Sequence, residues 1–483
     1  MRSLFLIAFF LLLGSCNLGP RYEAPPCPEI FSWKGVAAEG ETPKVDNWWD
    51  IFADEELSRL ELLAIEKNLD LHVALQRVAS SRAVAGVIGS FRYPWADLKP
   101  QFNNVMELIE LYGVPPGLFP KLKTITRVRE QTYSLPAVFT YEVDLWGKYH
   151  GAYNSAKIYA DSLDEAVAAT LLSVTATVAS NYFNLRQLDL QVALLKEEVE
   201  LEKERVEMSR MRYGRGLVSL IELDGMQQDL ANMEAELEET IRQRASFENA
   251  LALLIGANAS EWKIAVSPLN KEPPLIPPGL PSDLLLRRPD VAQAERAMAS
   301  FHALIGVAYA TYFPDIPLTT SLGALSPDLS QFLTWSSRLW QIGTNITQVL
   351  FNVGRNSSYV KGAWAKFEEA KALYQKAVLN AFSEVEDALS DVEQQRKQSL
   401  ALQVVLEKAE HTAELSFLRW HQGITGRLDF LDAQKSAIDA RRNWVNVVGP
   451  RYQSAIELVK AIGGTWEAMD PCGKQEESSS CEG

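Results

Sequence analysis

Two very long segments of this 483-residue chain contain no proline and carry apolar residues at steps of three and four. One spans residues 147–213 and the other 355–417, and each is followed by a shorter helix-like segment, at 217–255 and 428–462. This spacing predicts four α-helices, and about 65 residues at a rise of about 1.5 Å give each long helix a length of about 100 Å. No compact domain needs such a helix, so we expect extended, coiled-coil-like pairs. Acidic runs such as 197–202 are interpreted as solvated helix faces without a chemical role.

The segment between the two helices of each pair is duplicated. Residues 212–227 and 419–434 align without a gap, and they keep an arginine, an aromatic residue, a glycine, an acidic residue and a glutamine in register. The glycine, Gly216 in the first copy, can take the left-handed conformation that ends a helix. Ser219 and Glu222 have the spacing of a capping box, which starts the next helix. Each copy is therefore predicted to be a helix-to-helix tip.

A second duplication lies upstream of each tip. Residues 70–94 align without a gap with residues 290–314, and the prolines that end the two segments are in register. The tips are displaced by 207 residues and these segments by 220. Two matches in the same order with nearly equal offsets indicate a tandem repeat. The repeats are assigned to residues 70–267 and 290–466, joined by a proline-rich connector at 268–289.

The first residues of the chain indicate its compartment. Arg2 precedes an apolar run at 4–13, which is too short to span a bilayer but suits a secretory signal peptide, assigned to residues 1–15. The run ends in Leu-Gly-Ser before Cys16, which resembles the lipobox of bacterial lipoproteins, where the cysteine becomes the lipidated first residue. Residues 16–69 are then the lipidated N-terminal segment, anchored by Cys16 without spanning the membrane. The alternative is a secretory signal with a chance cysteine.

Alternating sequences lie between the upstream duplication and the long helices of each repeat. Residues 96–145 and 315–350 contain segments in which apolar or aromatic residues alternate with small or polar ones. Transmembrane β-strands of about nine to eleven residues have this pattern, although a half-buried soluble sheet shares it. The export signal favours a membrane barrel. Two hairpins supply four strands, and because lipid tolerates no open sheet edge, the barrel has to be shared between subunits, with eight strands from two chains or twelve from three.

Composition and the scattered histidines exclude several classes of function. A net charge of −15 leaves no basic stripe, so no nucleic-acid partner is expected. The five histidines lack metal-ligand spacing, and the chain has no nucleophile elbow or phosphate loop. We therefore predict no catalytic residue, no metal site, no cofactor and no enzymatic activity. The polar tail at 467–483 is expected to be disordered, and its Cys472 and Cys481 are either a disulfide or incidental.

An ordered set of short motifs carries a family resemblance. The motifs run from the N-terminal segment to the end of the second repeat and include both tips. The others are Trp48-Trp49, Tyr-Glu-Val-Asp-Leu-Trp-Gly at 141–147, Gly-Leu-Pro-Ser-Asp-Leu-Leu at 279–285, Arg-Arg-Pro-Asp at 287–290, Phe313-Pro314 and Ala-Ile-Gly-Gly-Thr-Trp at 461–466. Together they resemble the outer-membrane factor family, and within it the lipoprotein branch typified by OprM and NodT and related to TolC.

The resemblance implies a mixed α and β membrane protein. Three chains would share a 12-stranded transmembrane β-barrel, four strands from each, continued by a long periplasmic α-helical coiled-coil barrel with an equatorial belt. It implies a homotrimer in contact with outer-membrane lipid, a periplasmic adaptor (membrane fusion protein) and an inner-membrane pump of the RND type. The implied function is the exit duct of a tripartite efflux system for drugs, toxic compounds or metal ions. The alternatives are a channel for type I protein secretion and a non-channel coiled-coil envelope scaffold.

The resemblance also assigns roles at the tips. Residues at the glycine turns match the segment where the adaptor docks: Arg212, Gly216, Leu217, Arg419, Gly423 and Ile424. Glu222, Asp429 and Asp432 match acids that line the periplasmic entrance, and the two aspartates, three apart on one helix face, would form a negative ring under threefold symmetry. Helix capping is the alternative for Glu222 and Asp429. Where some relatives carry a constricting arginine two residues after the tip glycine, this chain has Thr425, followed two residues later by Arg427.

Overall fold

A computed structural model describes residues 18–25, 33–34, 47–110, 125–267, 269, 272–274, 276 and 288–464. The signal segment, all four cysteines, most of the connector and the tail lie outside the described residues, as do the predictions made for them. The chain folds into two compact units. The first contains the described parts of Met1–Ala24, Ser80–Ala160 and Arg296–Lys371, and the second contains those of Pro25–Ala79, Asp161–Glu295 and Ala372–Gly483.

The helices repeat in pairs of equal length. Within the described residues they are α1 (Glu55–Lys67), α2 (Leu69–Ser90), α3 (Lys148–Gly214), α4 (Leu220–Leu254), α5 (Pro289–Ala310), α6 (Arg355–His421) and α7 (Arg427–Ala461). Helices α3 and α6 have 67 residues each, α4 and α7 have 35 each, and α2 and α5 have 22 each. Members of a pair are displaced by the same offsets as the duplicated sequences. The predicted long helices and the internal repeat are therefore confirmed.

The first unit is built on one antiparallel sheet. Its strands are β1 (Trp95–Leu98), β2 (Gln101–Glu110), β3 (Ile125–Glu142), β4 (Pro317–Ser326) and β5 (Arg338–Thr344). They pair in the order β1/β2–β3–β4–β5, because β1 and β2 both pair with β3 on either side of an interruption at Lys99 and Pro100. The sheet thus has the four strand positions that were predicted. Its two edges, β1/β2 and β5, have no partner within the described chain.

The last strand is shorter than its sequence pattern predicts. β5 ends at Thr344, whereas the alternation continues to residue 350. Its partner β4 begins at Pro317, which has no N–H to donate to the ladder, and Thr344 Oγ1 donates to the Pro317 carbonyl at 2.9 Å instead. Beyond that point, one isolated bridge joins Asp315 and Thr347. A proline at the start of the partner strand therefore ends the pairing early.

In the second unit, aromatic residues fix the segment before α1 onto the long helices. This segment forms a short 3-10 helix, Trp48–Phe52, with buried aromatic side chains. Trp48 Nε1 donates to Thr175 Oγ1 of α3 at 3.1 Å. The ring of Phe52 lies 5.0 Å from that of Phe183 in α3 and 6.0 Å from that of Tyr452 in α7. The N-terminal segment is thus packed against helices of both repeats.

The two repeats close in the same way with different residues. Asn68 Nδ2, just before α2, donates to the Leu254 carbonyl at the end of α4 at 2.9 Å. At the aligned position before α5, Arg288 Nη1 donates to the Ala461 carbonyl at the end of α7, also at 2.9 Å. Both bonds satisfy a carbonyl that the end of a helix leaves without an intrahelical donor. The duplication therefore extends to tertiary hydrogen bonds.

Candidate gate at the two helix tips

Both tips end their incoming helix with the same Schellman turn. In the first tip, the N–H groups of Gly216 and Leu217 donate to the carbonyls of Tyr213 and Arg212 at 2.8 and 2.9 Å. The aligned residues of the second tip make the same two bonds around Gly423, both at 2.9 Å. The φ angles of the two glycines are 70° and 73°, in the left-handed region. The backbone conformation expected at the tips is present in both copies.

The outgoing helices start differently. Ser219 Oγ accepts the Glu222 N–H at 3.2 Å and caps α4, but among the described residues nothing bonds the exposed Glu222 carboxylate. In α7 the cap position is Gly426, which has no side chain, and the Asp429 carboxylate accepts the Gly426 N–H at 3.0 Å. Each tip therefore keeps one half of a capping box, the hydroxyl half in the first tip and the carboxylate half in the second.

The second tip is tied to α3 by charge. Arg427, the first residue of α7, forms an ion pair with Glu204 of α3. Farther along α7, the Asp432 carboxylate accepts from Arg205 Nη2 at 2.6 Å. Both aspartates predicted to line an entrance thus have bonds in this structure, since Asp429 caps the helix and Asp432 pairs with an arginine. Of the predicted gate residues, the structure leaves only Glu222 without such a bond among the described residues.

A buried glutamate lies at the centre of this ion-pair cluster. Glu202 has no exposed surface, and its Oε2 accepts from Arg205 Nη1 at 2.6 Å and from Lys435 Nζ at 3.3 Å. Burial disfavours the charged form of Arg205, but the hydrogen bond and charge of Glu202, with those of Asp432, outweigh it and raise the pKa of the guanidinium. Arg205 therefore stays charged between its two carboxylates.

A second buried pair lies about a helical turn away on α3. Glu198 is 1% exposed and its Oε2 accepts from Arg442 Nη1 of α7 at 2.7 Å. Burial raises the pKa of Glu198, although the charge of Arg442 opposes that shift. Arg442 also forms an ion pair with Glu236 of α4. A single arginine of the second helix pair thus joins both helices of the first pair.

The prediction that the acidic run 197–202 forms a solvated face is wrong for Glu198 and Glu202. Both lie on the buried face of α3, because they and Arg205 follow each other at steps of four and three, the period of one helix face. Their cationic partners on α7, at 435 and 442, are one heptad apart. This matched spacing of opposite charges on two predicted helices is the sequence signal that identifies the ion-pair cluster.

Aromatic residues pack behind the second tip. The rings of Trp420 and Phe430 stack with centroids 5.5 Å apart and planes 7° apart, and Phe417 lies edge-on to Phe430 at 5.4 Å. The Arg427 guanidinium lies 4.6 Å from the centroid of the Trp420 ring while it pairs with Glu204. One arginine thus links the turn, the aromatic pair and α3.

The first tip lacks these links. Leu220, an apolar residue that is 51% exposed, stands at the position aligned with Arg427. Within the described residues, the acids Glu222 and Asp224 at the start of α4 form no ion pair, and the first one along that helix is the 3.9 Å contact between Glu234 and Lys203. The charged connection of the second tip is therefore a specialisation of one copy.

The turn residues predicted to dock a partner divide into two groups. The carbonyls of Arg212 and Arg419 accept the bonds that close the Schellman turns. Leu217 and Ile424, which directly follow the glycines, are 64% and 63% exposed. Each tip thus exposes one apolar side chain directly after its glycine. In the part of the chain that the structure describes, no group of histidine, cysteine, aspartate and glutamate side chains is arranged to hold a metal ion.

Some of the ion pairs in this cluster can separate more easily than others. The Asp432 and Glu204 side chains are 50% and 40% exposed, so water can solvate these carboxylates when their arginine partners move away. Glu202 is fully buried, and removing its cations costs far more. We call these ion pairs between α7 and α3 the clasp. Its outer pairs, Arg427–Glu204 and Arg205–Asp432, can exchange with water, whereas its inner pair, Glu202–Lys435, resists separation.

Comparison with known proteins matches each repeat to the same family model. The model described as outer membrane efflux protein matches residues 62–257 and 280–464, which together are well over half of the chain. Outer membrane protein OprJ of Pseudomonas aeruginosa is 28% identical over 462 residues, covering 95% of this chain and 94% of OprJ. Solvent efflux pump outer membrane protein SrpC of Pseudomonas putida is 30% identical over 473 residues, covering 94% of this chain and 97% of SrpC.

Solved structures share the fold. The crystal structure of the CmeC outer membrane channel of Campylobacter jejuni matches with a TM-score of 0.84 at 26% identity, over 93% of this chain and 95% of CmeC. The similarity therefore extends over the helices and strands of both repeats.

Proposed function

Because this chain belongs to the outer membrane efflux protein family, we propose that it is the exit duct of a tripartite efflux system, held closed at its helix tips. Localisation in the outer membrane and a role as an efflux channel follow from membership, since the family is that of outer membrane efflux proteins and SrpC, which matches nearly end to end, is named as the outer membrane protein of a solvent efflux pump. The observation that supports closure at the tips is the ion-pair cluster between α7 and α3.

The proposed assembly is a homotrimer. The sheet has four strand positions, and both of its edges lack a partner within the described chain. An edge exposed to lipid would leave backbone N–H and C=O groups unsatisfied, so the sheet has to close with other copies. Two copies would build a barrel of about eight strands, and side chains fill the interior of a barrel of that size. Three copies would build a wider barrel of about twelve strands, which leaves room for a duct. Twelve is also the number that the resemblance to the outer-membrane factor family implies.

The proposed moving part is the second tip. Opening separates α7 from α3 and breaks the pairs of Arg427 with Glu204 and of Arg205 with Asp432, whereas the turn of the first tip has no such pair to break among the described residues. In the closed state Asp432 is neutralised by Arg205. Under threefold symmetry the entrance therefore becomes more negative as it opens, which favours cations at the moment of passage.

The proposed partners are a periplasmic adaptor and an inner-membrane pump of the RND type. The adaptor would contact the exposed apolar residues of the turns, Leu217 and Ile424, and the pump would supply the energy, so the duct itself performs no chemical step. Small molecules are the proposed cargo, in line with the relative SrpC, whose name describes a solvent efflux pump. Export of proteins is the alternative cargo.

Planar-bilayer recordings of the purified protein test the gate. The wild type is expected to give a small conductance, and Arg427→Ala and Asp432→Asn are expected to enlarge it because each removes a pair between α7 and α3. Arg441→Ala is the matched control, since Arg441 pairs with Glu410 of α6 inside the second helix pair. No conductance in any sample contradicts the duct and favours the scaffold. Equal conductance in control and gate variants contradicts the gate alone.

We propose Cys16 as the site of lipid attachment, on the strength of the lipobox-like sequence before it. Six residues later in the sequence, the ring of Tyr22 packs against that of His302 in α5 with centroids 5.3 Å apart. Labelled palmitate is expected to enter the wild type and not Cys16→Ala. Labelling of that variant would place the lipid elsewhere.

A further inference from the structure

Helix α7 contains a Gly-Pro step that α4 lacks. Pro450 lies inside α7 and directly follows Gly449. At the offset of 207 residues, α4 has Arg242 and Gln243 at the aligned positions. Proline has no N–H to donate to the carbonyl four residues earlier, here that of Asn446, and sharp kinks in helices occur mostly at proline. The second helix pair therefore has a bending point that the first pair lacks.

Burial divides α7 at nearly the same point. Residues 427–444, which we call the tip segment, include three buried residues. Residues 445–461, which we call the core segment, include eleven, among them Tyr452, Ile456 and Leu458. Because the stabilisation from apolar burial grows with the buried area, the core segment is held much more firmly than the tip segment. The Gly-Pro step lies close to the boundary between them.

Close packing and neutral hydrogen bonds fix α7 to α3 around Pro450. A Cβ added to Gly449 would collide with the side chain of Gln187 in α3, so the two helices approach each other closely at this glycine. Three residues after the proline, Gln453 Nε2 donates to the Ser180 carbonyl of α3 at 3.0 Å, and Gln453 Oε1 accepts from the Ser180 hydroxyl. The core segment is thus anchored to α3 directly beside the Gly-Pro step.

The tip segment is held differently, by the clasp and a small apolar cluster of Leu431 and Ile438 with Leu201 of α3. The closed arrangement also has a cost. Within the described chain, the buried indole N–H of Trp444 in the tip segment has no hydrogen-bond partner, and neither has Oε1 of the buried Glu202 in the clasp. Buried polar atoms without partners cost free energy, and water can satisfy them once they are exposed. Opening therefore relieves part of the cost of closure.

We propose that the Gly449–Pro450 step is the hinge at which the tip segment bends away from α3, while the core segment stays in place. This inference rests on the proposed gate, and it identifies the point about which the second tip moves. Arg427 lies about 35 Å from Pro450, since about 23 residues rise by about 1.5 Å each. A bend of about 10° therefore moves the tip by about 6 Å. Arg205 and Asp432 are 2.6 Å apart in the closed arrangement, so a bend of this size separates them.

Planar-bilayer conductance of a variant with a weakened clasp tests the hinge. Pro450→Ala supplies the missing N–H and stiffens α7. Added to Arg427→Ala, it is expected to lower the enlarged conductance about twofold, toward the wild-type value, and to raise the unfolding temperature. A purely structural role of Pro450 would change the unfolding temperature and leave the conductance unchanged. Gln243→Ala, the aligned change in α4, is the matched control and is expected to leave the conductance of Arg427→Ala as it is.

Cross-links between α7 and α3 locate the hinge with Pro450 intact. The full chain is used, with its cysteines other than Cys16 replaced by serine, and pairs of thiols are joined by a short bis-maleimide. Glu204→Cys/Arg427→Cys removes one pair of the clasp, and its cross-link is expected to close the channel again. Ser180→Cys/Gln453→Cys, made together with Arg427→Ala, places the cross-link on the core side of the hinge, where it is expected to leave the enlarged conductance unchanged.

Lower conductance with Pro450→Ala but not with Gln243→Ala, and closure by the tip-side cross-link alone, support the hinge. Unchanged conductance with Pro450→Ala, or an equal decrease with both alanine variants, overturns the hinge and leaves the gate standing. Closure by both cross-links also overturns it, because α7 then moves as one rigid helix. If Pro450→Ala does not fold, the cross-links decide alone. If Arg427→Ala conducts no more than the wild type, the gate and the hinge are contradicted together.

Discussion

The two helix tips share a turn and differ in what holds them. Gly216 and Gly423 have the same left-handed conformation and the same Schellman bonds, because both copies have to end one helix and start another within a few residues. Past the turn, Arg427 and Asp432 bind the second tip to α3. The first tip has Leu220 at the position of that arginine.

This difference shows which parts of the duplicated tip differ between the two copies. The backbone bonds of the turn are the same in both copies, whereas a few side chains decide whether the tip is tied to its neighbour. The clasp joins α7 to α3, and only the second copy contributes to it through its turn. Substitutions in one tip or in both test this difference.

Arg205→Ala is expected to have the largest effect. It leaves the buried Glu202 carboxylate with Lys435 alone, and removing one partner of a buried ion pair destabilises a fold by about 3–5 kcal/mol. Thermal unfolding followed by circular dichroism measures the loss, and bilayer conductance is expected to rise with it. Arg210→Ala is the control on the same helix, because Arg210 and Glu207 are both exposed at 3.3 Å and such pairs contribute at most about 1 kcal/mol. Equal losses in both variants would mean that the clasp adds nothing.

Two fully buried glutamates give the next test, because replacing each with glutamine is expected to change the unfolding temperature in opposite directions. Glu202 is held by two cations, whereas neither carboxylate oxygen of Glu61 in α1 accepts a hydrogen bond from the described residues. Glu202→Gln is expected to lower the unfolding temperature, since it removes the charge that Arg205 and Lys435 bind. Glu61→Gln is expected to raise it at neutral pH, since no buried carboxylate then has to be kept neutral.

The contribution of Glu61 to stability depends on pH in a defined way. Burial raises the pKa of Glu61 well above its ordinary value of about 4.3, so the folded chain holds this proton at a pH where the unfolded chain has lost it. The resulting stability is complete below the ordinary pKa and is lost as the pH rises through the raised one. Unfolding temperatures measured from pH 4 upwards are expected to fall more steeply for the wild type than for Glu61→Gln. If the unfolding temperatures of the two proteins fell in parallel with pH, the Glu61 carboxyl would not be the cause of the pH dependence.

The sequence predicts most of the fold because most helices, strands and turns follow from the spacing of residues within a single segment. The long helices, the four strand positions and the glycine turns each follow from spacing within one segment. The clasp does not, because Arg427 and Glu204 are 223 residues apart and their meeting depends on how two helices are rotated against each other. The wrong prediction of a solvated acidic run has the same cause. Glu198 and Glu202 look like surface residues until the cations of α7 are placed opposite them.

Gly216→Ala and Gly423→Ala test what the tips share. An L-residue in the left-handed region costs about 1–2 kcal/mol, so both variants are expected to lose similar amounts of thermal stability. Gly225→Ala is the control, because Gly225 lies inside α4 with open space around it and alanine there stabilises a helix by up to about 1 kcal/mol. A much larger loss at Gly423 than at Gly216 would show that the turn of the second tip also positions the clasp.

Exchanging the helix caps gives the smallest expected effect and isolates the local difference between the tips. Gly426 has φ −75° and ψ 160°, nearly the values of Ser219, and a Cβ there would lie 3.5 Å from Asp429 Oδ2, an ordinary contact. Gly426→Ser supplies the missing hydroxyl half of the capping box and is expected to stabilise α7 by a few tenths of a kcal/mol, whereas Ser219→Gly removes that half from α4 at a similar cost. Gly426→Ala, which adds the Cβ without the hydroxyl, should give no gain in unfolding temperature. If it matches Gly426→Ser, backbone restriction explains the change, and the two tips differ through the clasp rather than through their caps.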